Sequence, residues 1–326
     1  MTQPIGQASG TGVTVIRGDE LATYGFGHGH PFGSDRQAIF WNGMESRGLA
    51  DHVGTEPPVM GSRAEIESFH ETAYVERVIA QSSTGLGFLD SGDTPAYPGI
   101  YEASRWVVGS VLNAVRGLIE GSFKRAFVPV AGLHHARPHT AGGFCVFNDC
   151  GVAIEVLRSR YEVRRIAYVD IDAHHGDGVF YAFEEDPDLI FADIHQDGRT
   201  LYPGTGAAHE IGRGKARGTK LNIPVLPGAD DTTFLHEWTR IEDHIAAAKP
   251  ELVILQCGAD GLAGDPLTHL EYTDRAHQHA AARLCRIADE HCGSKLLALG
   301  GGGYDPAGIA AAWCAVVAAM LEPQGG

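Results

Sequence analysis

The feature that most restricts this chain is a recurring unit: a short, continuously apolar run that ends in polar residues and glycines. Ala126–Val130 (AFVPV), Arg165–Ile171 (RIAYVDI), Leu189–Ile194 (LIFADI), Leu221–Val225 (LNIPV), Leu252–Cys257 (LVILQC) and Lys295–Gly300 (KLLALG) are such runs. A strand with one wetted face alternates apolar and polar residues. Runs without alternation fit strands buried on both faces, as in a parallel sheet covered by helices. Helical patterns near 101–120, 150–160, 232–248 and 274–291 separate them, and the nearly apolar Gly308–Leu321 reads as a buried C-terminal helix. Strand then helix, repeated, predicts a three-layer α/β/α domain on a mostly parallel, doubly wound sheet. The 326 residues suffice for one large core, and neither an internal repeat nor a low-complexity linker divides them. A single domain over 1–326 is expected, with its core at about 13–322 and a flexible segment at 1–12.

Composition bears on partners and compartment. Lys and Arg total 25 against 41 Asp and Glu, for a net charge of −16. Such a chain repels a phosphate backbone, which argues against nucleic acid as a partner; the acid either serves solubility alone, the plainer reading, or also helps collect cationic substrates. The 6 cysteines form no CxxC pair, which points to a reducing compartment. The N-terminal MTQPIGQASGTG lacks the basic start and apolar stretch of a signal peptide. Gly308–Leu321 is shorter than the ~20 residues that span a bilayer. A cytoplasmic protein with no membrane partner is expected.

Ligands of a doubly wound sheet collect beyond the carboxyl ends of its strands. The polar clusters stand there: GLHHARPHTAGGFCVFND after AFVPV, DAHHGDG after RIAYVDI, GAD after LVILQC and GGGYD after LLALG. On an extended segment, Asp172 and His174 point to the same side and can share one ion. Asp260, ending another strand, is a candidate third ligand, and Asp170 a supporting one. Two carboxylates and an imidazole leave a position open for water, as a catalytic metal requires. Acids that merely cap a helix are the plainer reading of DxDxH alone. The adjacent His134 and His135 suggest paired proton handling, one taking a proton from water and returning it to a leaving amine. Each imidazole then needs an acceptor behind it, and Asp170 and Asp177 are candidates. A surface pair without a role is the alternative; His139, His175 and His195 lie on the same segments. Tyr304 follows the glycines Gly300–Gly303, which permit close approach, and its phenol is placed to meet a developing oxyanion. No GxGxxG or Lys-Ser/Thr phosphate loop, GxSxG elbow or HExxH is present, and Cys145 reads as a buried thiol rather than a nucleophile.

Taken in order, GHGHPFGSDR, GLHHA, GGFCVFND, YVDIDAHHGDG, LYPGTG, QCGADGLAGDP and GGGGY resemble the histone deacetylases and their arginase/deacetylase fold over about Gly27 to Trp313. The likeness is closest to the class I branch and bacterial acetoin-utilisation-type relatives. It implies a zinc-dependent deacylase that hydrolyses N-acetyl or other short acyl amides of lysine side chains in acetylated peptides or proteins. Zinc, or Fe(II) in the same ligands, would sit on Asp172, His174 and Asp260. His135, backed by Asp177, would be general base and then acid. His134, backed by Asp170, would tune the electrostatics, and Tyr304 would polarise the acyl carbonyl. Gly143, Phe144 and Tyr202 would wall a narrow tunnel, Asp93 would grip substrate backbone at the rim, and Arg36 would line a product channel for acetate. A structural potassium would lie near Asp170, Asp172, His174, Asp193 and Ile194. Asp193 itself departs from the hydroxyl residue that the family often has there. Acetylated polyamines are the alternative substrate. A di-manganese ureohydrolase and a non-catalytic acyl-lysine binder are further alternatives, the first set back by the tandem histidines and the second by the retained ligands. Oligomeric state is left open.

Overall fold

The computed structural model describes residues 12–27 and 29–322; the segment 1–12, expected to be flexible, lies outside them apart from Gly12. The strands are β1 (Val13–Ile16), β2 (Gly54–Glu56), β3 (Arg125–Val128), β4 (Ile166–Asp170), β5 (Leu189–Gln196), β6 (Lys220–Val225), β7 (Leu252–Gln256) and β8 (Leu296–Leu299). The helices are α1 (Arg36–Ser46), α2 (Arg63–Ile66), α3 (Thr72–Thr84), α4 (Ile100–Glu120), α5 (Asp149–Tyr161), α6 (Asp177–Ala182), α7 (Asp231–Ala248), α8 (Asp274–His291) and α9 (Pro306–Leu321).

One eight-stranded sheet runs in the order β2-β1-β3-β8-β7-β4-β5-β6. Every pairing is parallel, so the sheet is wholly rather than mostly so. Its faces explain the missing alternation. Ala126, Val128, Tyr168, Ile254 and Leu297 enter one core with α3, α4 and α5. Phe127, Val169, Val253, Leu255 and Ala298 enter the other with α1, α7, α8 and α9. Both faces are dry, so each strand needs apolar residues at successive positions. Among the described residues, no helix is long and apolar enough to cross a membrane.

The strand order places the chemistry. The chain leaves β4 for β5 and β6 at one edge, then returns so that β7 and β8 fill the space between β4 and β3. The polar clusters that follow β3, β8, β7 and β4 therefore emerge side by side. Register aligns their last residues: Val128 pairs with Leu299, Leu299 with Gln256, and Gln256 with Asp170. At the far end of the glycine run, Asp305 accepts the Gly308 N–H at 2.7 Å and Pro306 opens α9, so the chain passes from Tyr304 directly into a helix.

The six strands read from the sequence are all present; β1, β2, α1, α2, α3 and α6 were not anticipated. β2 is only GTE at an exposed edge, too short and polar to show a period. α1 buries Arg36 and Gln37 beside Phe40, Trp41 and Met44, and polar groups on its inner face blur the pattern.

Candidate active site

Asp172 and His174 continue the line of β4, where the Ile171 N–H still bonds to Gln256 O at 3.0 Å. Asp260 arrives from the turn after β7. His174 Nδ1 lies 3.1 Å from Asp172 Oδ1 and 3.0 Å from Asp260 Oδ2, with every one of these side chains buried. Their ligand atoms all fall within 4.8 Å of one another, the one such grouping of three or more ligands found among the described residues. Glycines make this convergence possible. A Cβ on Gly258 would stand 2.0 Å from Asp172 Oδ2, and one on Gly302 2.4 Å from Asp260 Oδ2. Burial disfavours charge on His174, yet the bonded carboxylates of Asp172 and Asp260 outweigh it and raise the imidazole to about 10. Burial and the Asp172 charge push Asp260 up to about 7. Two buried carboxylates thus compete for cationic neutralisation, and a divalent ion fits this donor set of two oxygens and one nitrogen.

Each carboxylate is also held from behind. Gln256 Nε2 donates to Asp172 Oδ2 at 2.9 Å, and Gly302 N–H to the same oxygen at 2.9 Å. The Ala173 N–H donates to Asp260 Oδ1 at 2.8 Å. These bonds fix the free lone pairs and aim the remaining oxygens at a common point.

The tandem histidines face the cluster from the loop after β3. His134 Nδ1 bonds to Asp170 Oδ2 at 2.7 Å, and His135 Nδ1 to Asp177 Oδ1 at 2.7 Å. Their Nε2 atoms are 3.1 Å apart, so one must donate to the other. The surroundings decide which. Burial opposes charge on His134, but Asp170 and Asp172 overcome it and raise His134 to about 10. Burial and the neighbouring His134 cation drop His135 to about 4 despite Asp177. Asp170 and Asp172 thus favour charge on His134, and burial beside that charge favours a neutral His135. Asp177 is shared with Arg137, whose Nη2 donates to Oδ2 at 2.8 Å.

The loop that carries this pair is anchored by residues whose roles the sequence reading missed. Asp149 accepts the Gly132 and Leu133 N–H groups, each at 2.7 Å. Asn148 caps α5 by accepting the Gly151 N–H at 2.8 Å, and its amide donates to His134 O at 3.1 Å and Ala136 O at 2.9 Å. The Asn148 N–H in turn donates to His70 Nε2 at 2.8 Å. The signal was present as the ND that closes GGFCVFND; an Asn-Asp pair opening a helix is a common cap, which hid its second use.

Tyr304 stands across the cavity, its N–H bonded to Asp265 Oδ2 at 2.8 Å. Burial and the charges of Asp260 and Asp172 push its phenol well above 10, so it is a donor at neutral pH. Phe144 approaches Tyr304 with ring centroids 5.8 Å apart, and Tyr202 approaches His135 at 5.1 Å. Gly143 lies between the walls: a Cβ there would be 2.4 Å from the His135 ring and 3.1 Å from Tyr202. Gly143, Cys145, His135, His174 and Tyr304 line a constricted cavity of about 10 Å³, room for about one water. Outside it opens a mouth of about 440 Å³ lined by Asp90, Asp93, Arg137, Tyr202 and Pro203. Asp93 thus lies at the rim, its carboxyl raised to about 7 by partial burial and Asp90.

Arg36 and Asp193 have partners of their own. The buried Arg36 donates to Gly301 O at 2.6 Å, Gly302 O at 3.1 Å and also Gly303 O, so it braces the loop of Tyr304. Asp193 pairs with Asp170 across β4 and β5. Its Oδ1 binds His195 Nδ1 at 2.6 Å and its Oδ2 accepts the Gly176 N–H at 2.8 Å. Ile194 follows it, buried within β5. His139 lies in the turn between Arg137 and Thr140, outside the Asp172–His174–Asp260 grouping.

A family model described as the histone deacetylase domain matches residues 30–320. Acetoin utilization protein AcuC of Bacillus subtilis is 35% identical over 292 residues, covering 87% of this chain and 75% of that protein. Histone deacetylase 8 of Danio rerio is 31% identical over 301 residues, covering 88% and 76%. Among solved structures, the HD domain of HDA15 superimposes with a TM-score of 0.87 at 26% identity, over 95% of this chain and 89% of that one.

Proposed function

Because this chain belongs to the histone deacetylase family, and is therefore a hydrolytic enzyme of the deacylase type, we propose that it removes acetyl or other short acyl groups from lysine side chains of peptides or proteins. The observation that carries this reading is the meeting of Asp172, His174 and Asp260 opposite a histidine couple in which each imidazole is backed by its own carboxylate. Asp172, His174 and Asp260 would hold zinc, with Fe(II) as the other candidate. Such an ion, when bound, supplies Lewis-acid polarisation of the acyl carbonyl and activates water.

The side chains divide the remaining work. Neutral His135 accepts the proton of the attacking water at Nε2, which gives up its bond from His134 to do so, while Asp177 on Nδ1 fixes the ring and stabilises the imidazolium that results. His134, already cationic on Asp170, supplies positive charge beside the developing oxyanion and keeps His135 a base until water has been engaged. The Tyr304 phenol donates a hydrogen bond to that oxyanion. His135 then returns its proton to the departing amine. Phe144, Gly143 and Tyr202 admit an unbranched alkyl stem and exclude water around it, and Asp93 at the mouth accepts from substrate N–H groups.

A mouth of about 440 Å³ outside a narrow cavity favours a peptide over a free acetylpolyamine, because it leaves room for main chain around the stem. Arg36 stays in this reading as the wall of the product route. A structural potassium near Asp170, Asp172, His174, Asp193 and Ile194 belongs to the same reading; the Asp193 oxygens also bond His195 and the Gly176 N–H. The absence of a membrane-crossing helix among the described residues is compatible with a cytoplasmic enzyme.

The test is turnover of a fluorogenic acetyl-lysine peptide by the purified chain, alongside acetylputrescine and acetylspermidine. Turnover of the peptide that is lost with a chelator, restored by zinc or Fe(II), and blocked by a hydroxamate is the expected result. Chelator-insensitive hydrolysis would sink the metal reading, and selective turnover of the polyamines would replace the substrate.

A further inference from the structure

Beneath the tunnel wall lies a second buried cluster that the reaction above does not use. His175 Nδ1 meets Thr205 Oγ1 at 2.8 Å. His195 Nε2 meets Gly206 O at 2.9 Å, and its Nδ1 meets Asp193 Oδ1 at 2.6 Å. The two imidazoles pack with centroids 4.9 Å apart and are 1% and 0% exposed. Thr205 and Gly206 belong to the segment LYPGTG, which also carries Tyr202. Gly206 adopts φ +84°, and a Cβ there would lie 2.4 Å from His195 Nε2 and 2.7 Å from the His175 ring, so the loop is seated directly on the histidines. From the other side, Glu210 Oε2 accepts the Gly206 and Ala207 N–H groups at 2.8 and 2.7 Å, and Tyr181 donates to Oε1 at 2.7 Å. The same Asp193 holds the Gly176 N–H at 2.8 Å, one residue before Asp177, the partner of His135.

We propose that Asp193, His195, His175 and Thr205 form a positioning unit that sets Tyr202 against His135 and so determines how well an acyl-lysine stem fits. None of the four touches the cavity; each acts through the LYPGTG loop. Their bonds to a hydroxyl and a backbone carbonyl of that loop fix it at two adjacent residues, which limits pivoting of the Tyr202 ring three residues earlier. The unit serves fit rather than chemistry, because Tyr202 makes a wall and donates nothing to the reacting atoms. This inference rests on the reading of Tyr202 as a tunnel wall.

The experiment compares Thr205→Val, Thr205→Ser, Tyr202→Ala and the double variant Thr205→Val/Tyr202→Ala on the acetyl-lysine peptide, with Tm recorded for each. Valine keeps the volume of threonine and removes the hydroxyl. The expected result is a KM raised about tenfold with kcat within about twofold, the signature of lost binding rather than lost transition-state stabilisation. Serine restores the KM, and the effect of Thr205→Val disappears in the Tyr202→Ala background, since no wall is left to position. Should Thr205→Val not fold, Thr205→Ala takes its place with the same expectation. A Thr205 variant with unchanged KM, a serine that does not rescue, or an effect that persists undiminished without the Tyr202 ring overturns the positioning unit alone. A Tyr202→Ala variant with unchanged KM overturns the tunnel-wall reading and the inference with it.

Discussion

The floor of the site and its rim are built by different means. On the floor, Asp172, His174, Asp260, His134 and His135 are all buried, and each is oriented by a bond from the strand ends and the turns beyond them or, for His135, from Asp177 at the start of α6. The rim is made by connections outside the sheet. Asp93 is exposed in the turn of 90–94, which Asp90 organises by accepting the Gly92, Asp93 and Thr94 N–H groups. Tyr202 is 45% exposed. A buried charge whose partner is removed has no water to replace it, whereas an exposed one does. Floor and rim should therefore answer substitution on different scales, the floor in turnover and the rim in KM.

The sharpest contrast is expected at the ligands. Asp260→Asn should lower turnover by about four orders of magnitude or more, on the scale of losing a group that acts with others as a unit. Elemental analysis should show divalent metal content falling with it. Retained turnover with retained metal would break the distinction between floor and rim outright. Next comes Tyr304→Phe, which should cost about 2.7–4 kcal/mol of transition-state stabilisation, two to three orders of magnitude in kcat, with the fold intact by circular dichroism. Near-native kcat would move Tyr304 from the chemistry to the wall.

The third effect is one of stability and reaches the floor through its scaffold. Burial lowers His70 from 6.5 to about 3, so its neutral Nε2 accepts the Asn148 N–H down to strongly acid pH. An unfolded chain takes up that proton near pH 6.5 and the folded chain does not, so protons favour unfolding throughout the window. Stability from this group is whole above pH 6.5 and drains away as pH falls towards 3. Between pH 6.5 and 5.5 the share due to His70 should be on the order of 1 kcal/mol by urea denaturation, and His70→Gln should remove that share while leaving the part due to His135. An unchanged slope in His70→Gln would detach His70 from the effect. The smallest change belongs to the rim: Asp93→Asn should raise peptide KM a few-fold and leave kcat alone, in keeping with about 0.5–1.5 kcal/mol for one hydrogen bond. A fall in kcat instead would place Asp93 in the reaction.

The same division governs what the sequence discloses. Strands between two dry faces advertise themselves as unbroken apolar runs, so β3 to β8 and the clusters behind them could be read directly, and rules of sheet topology said where those clusters would point. The three metal-ligand candidates come from two separate strand ends, yet a rule about strand termini unites them. The supports were harder to see. Gln256 sits inside a strand and Asn148 and Asp149 open a helix, positions with ordinary explanations, and only the folded chain shows their amides and carboxylates turned towards the histidine loop. Asp193 and His195 share a side of β5 by the same two-residue spacing that unites Asp172 and His174, but the resemblance drew Asp193 to a cation and left that imidazole without a partner. The first third of the chain gave least, because α1 buries polar side chains and β2 barely exists.

The insertion of β7 and β8 between β3 and β4 carries a consequence for biosynthesis. A ribosome releases the tandem histidines and the Asp172–His174 pair long before Asp260 and Tyr304, and the lane that separates the two early strands is filled only by strands made after the rest of the sheet. No shortened product ending ahead of β8 can own a working centre, however much of its outer sheet has formed. Catalytic competence should switch on in one step, once β8 and the glycine run that carries Tyr304 have been made and β8 has entered the sheet.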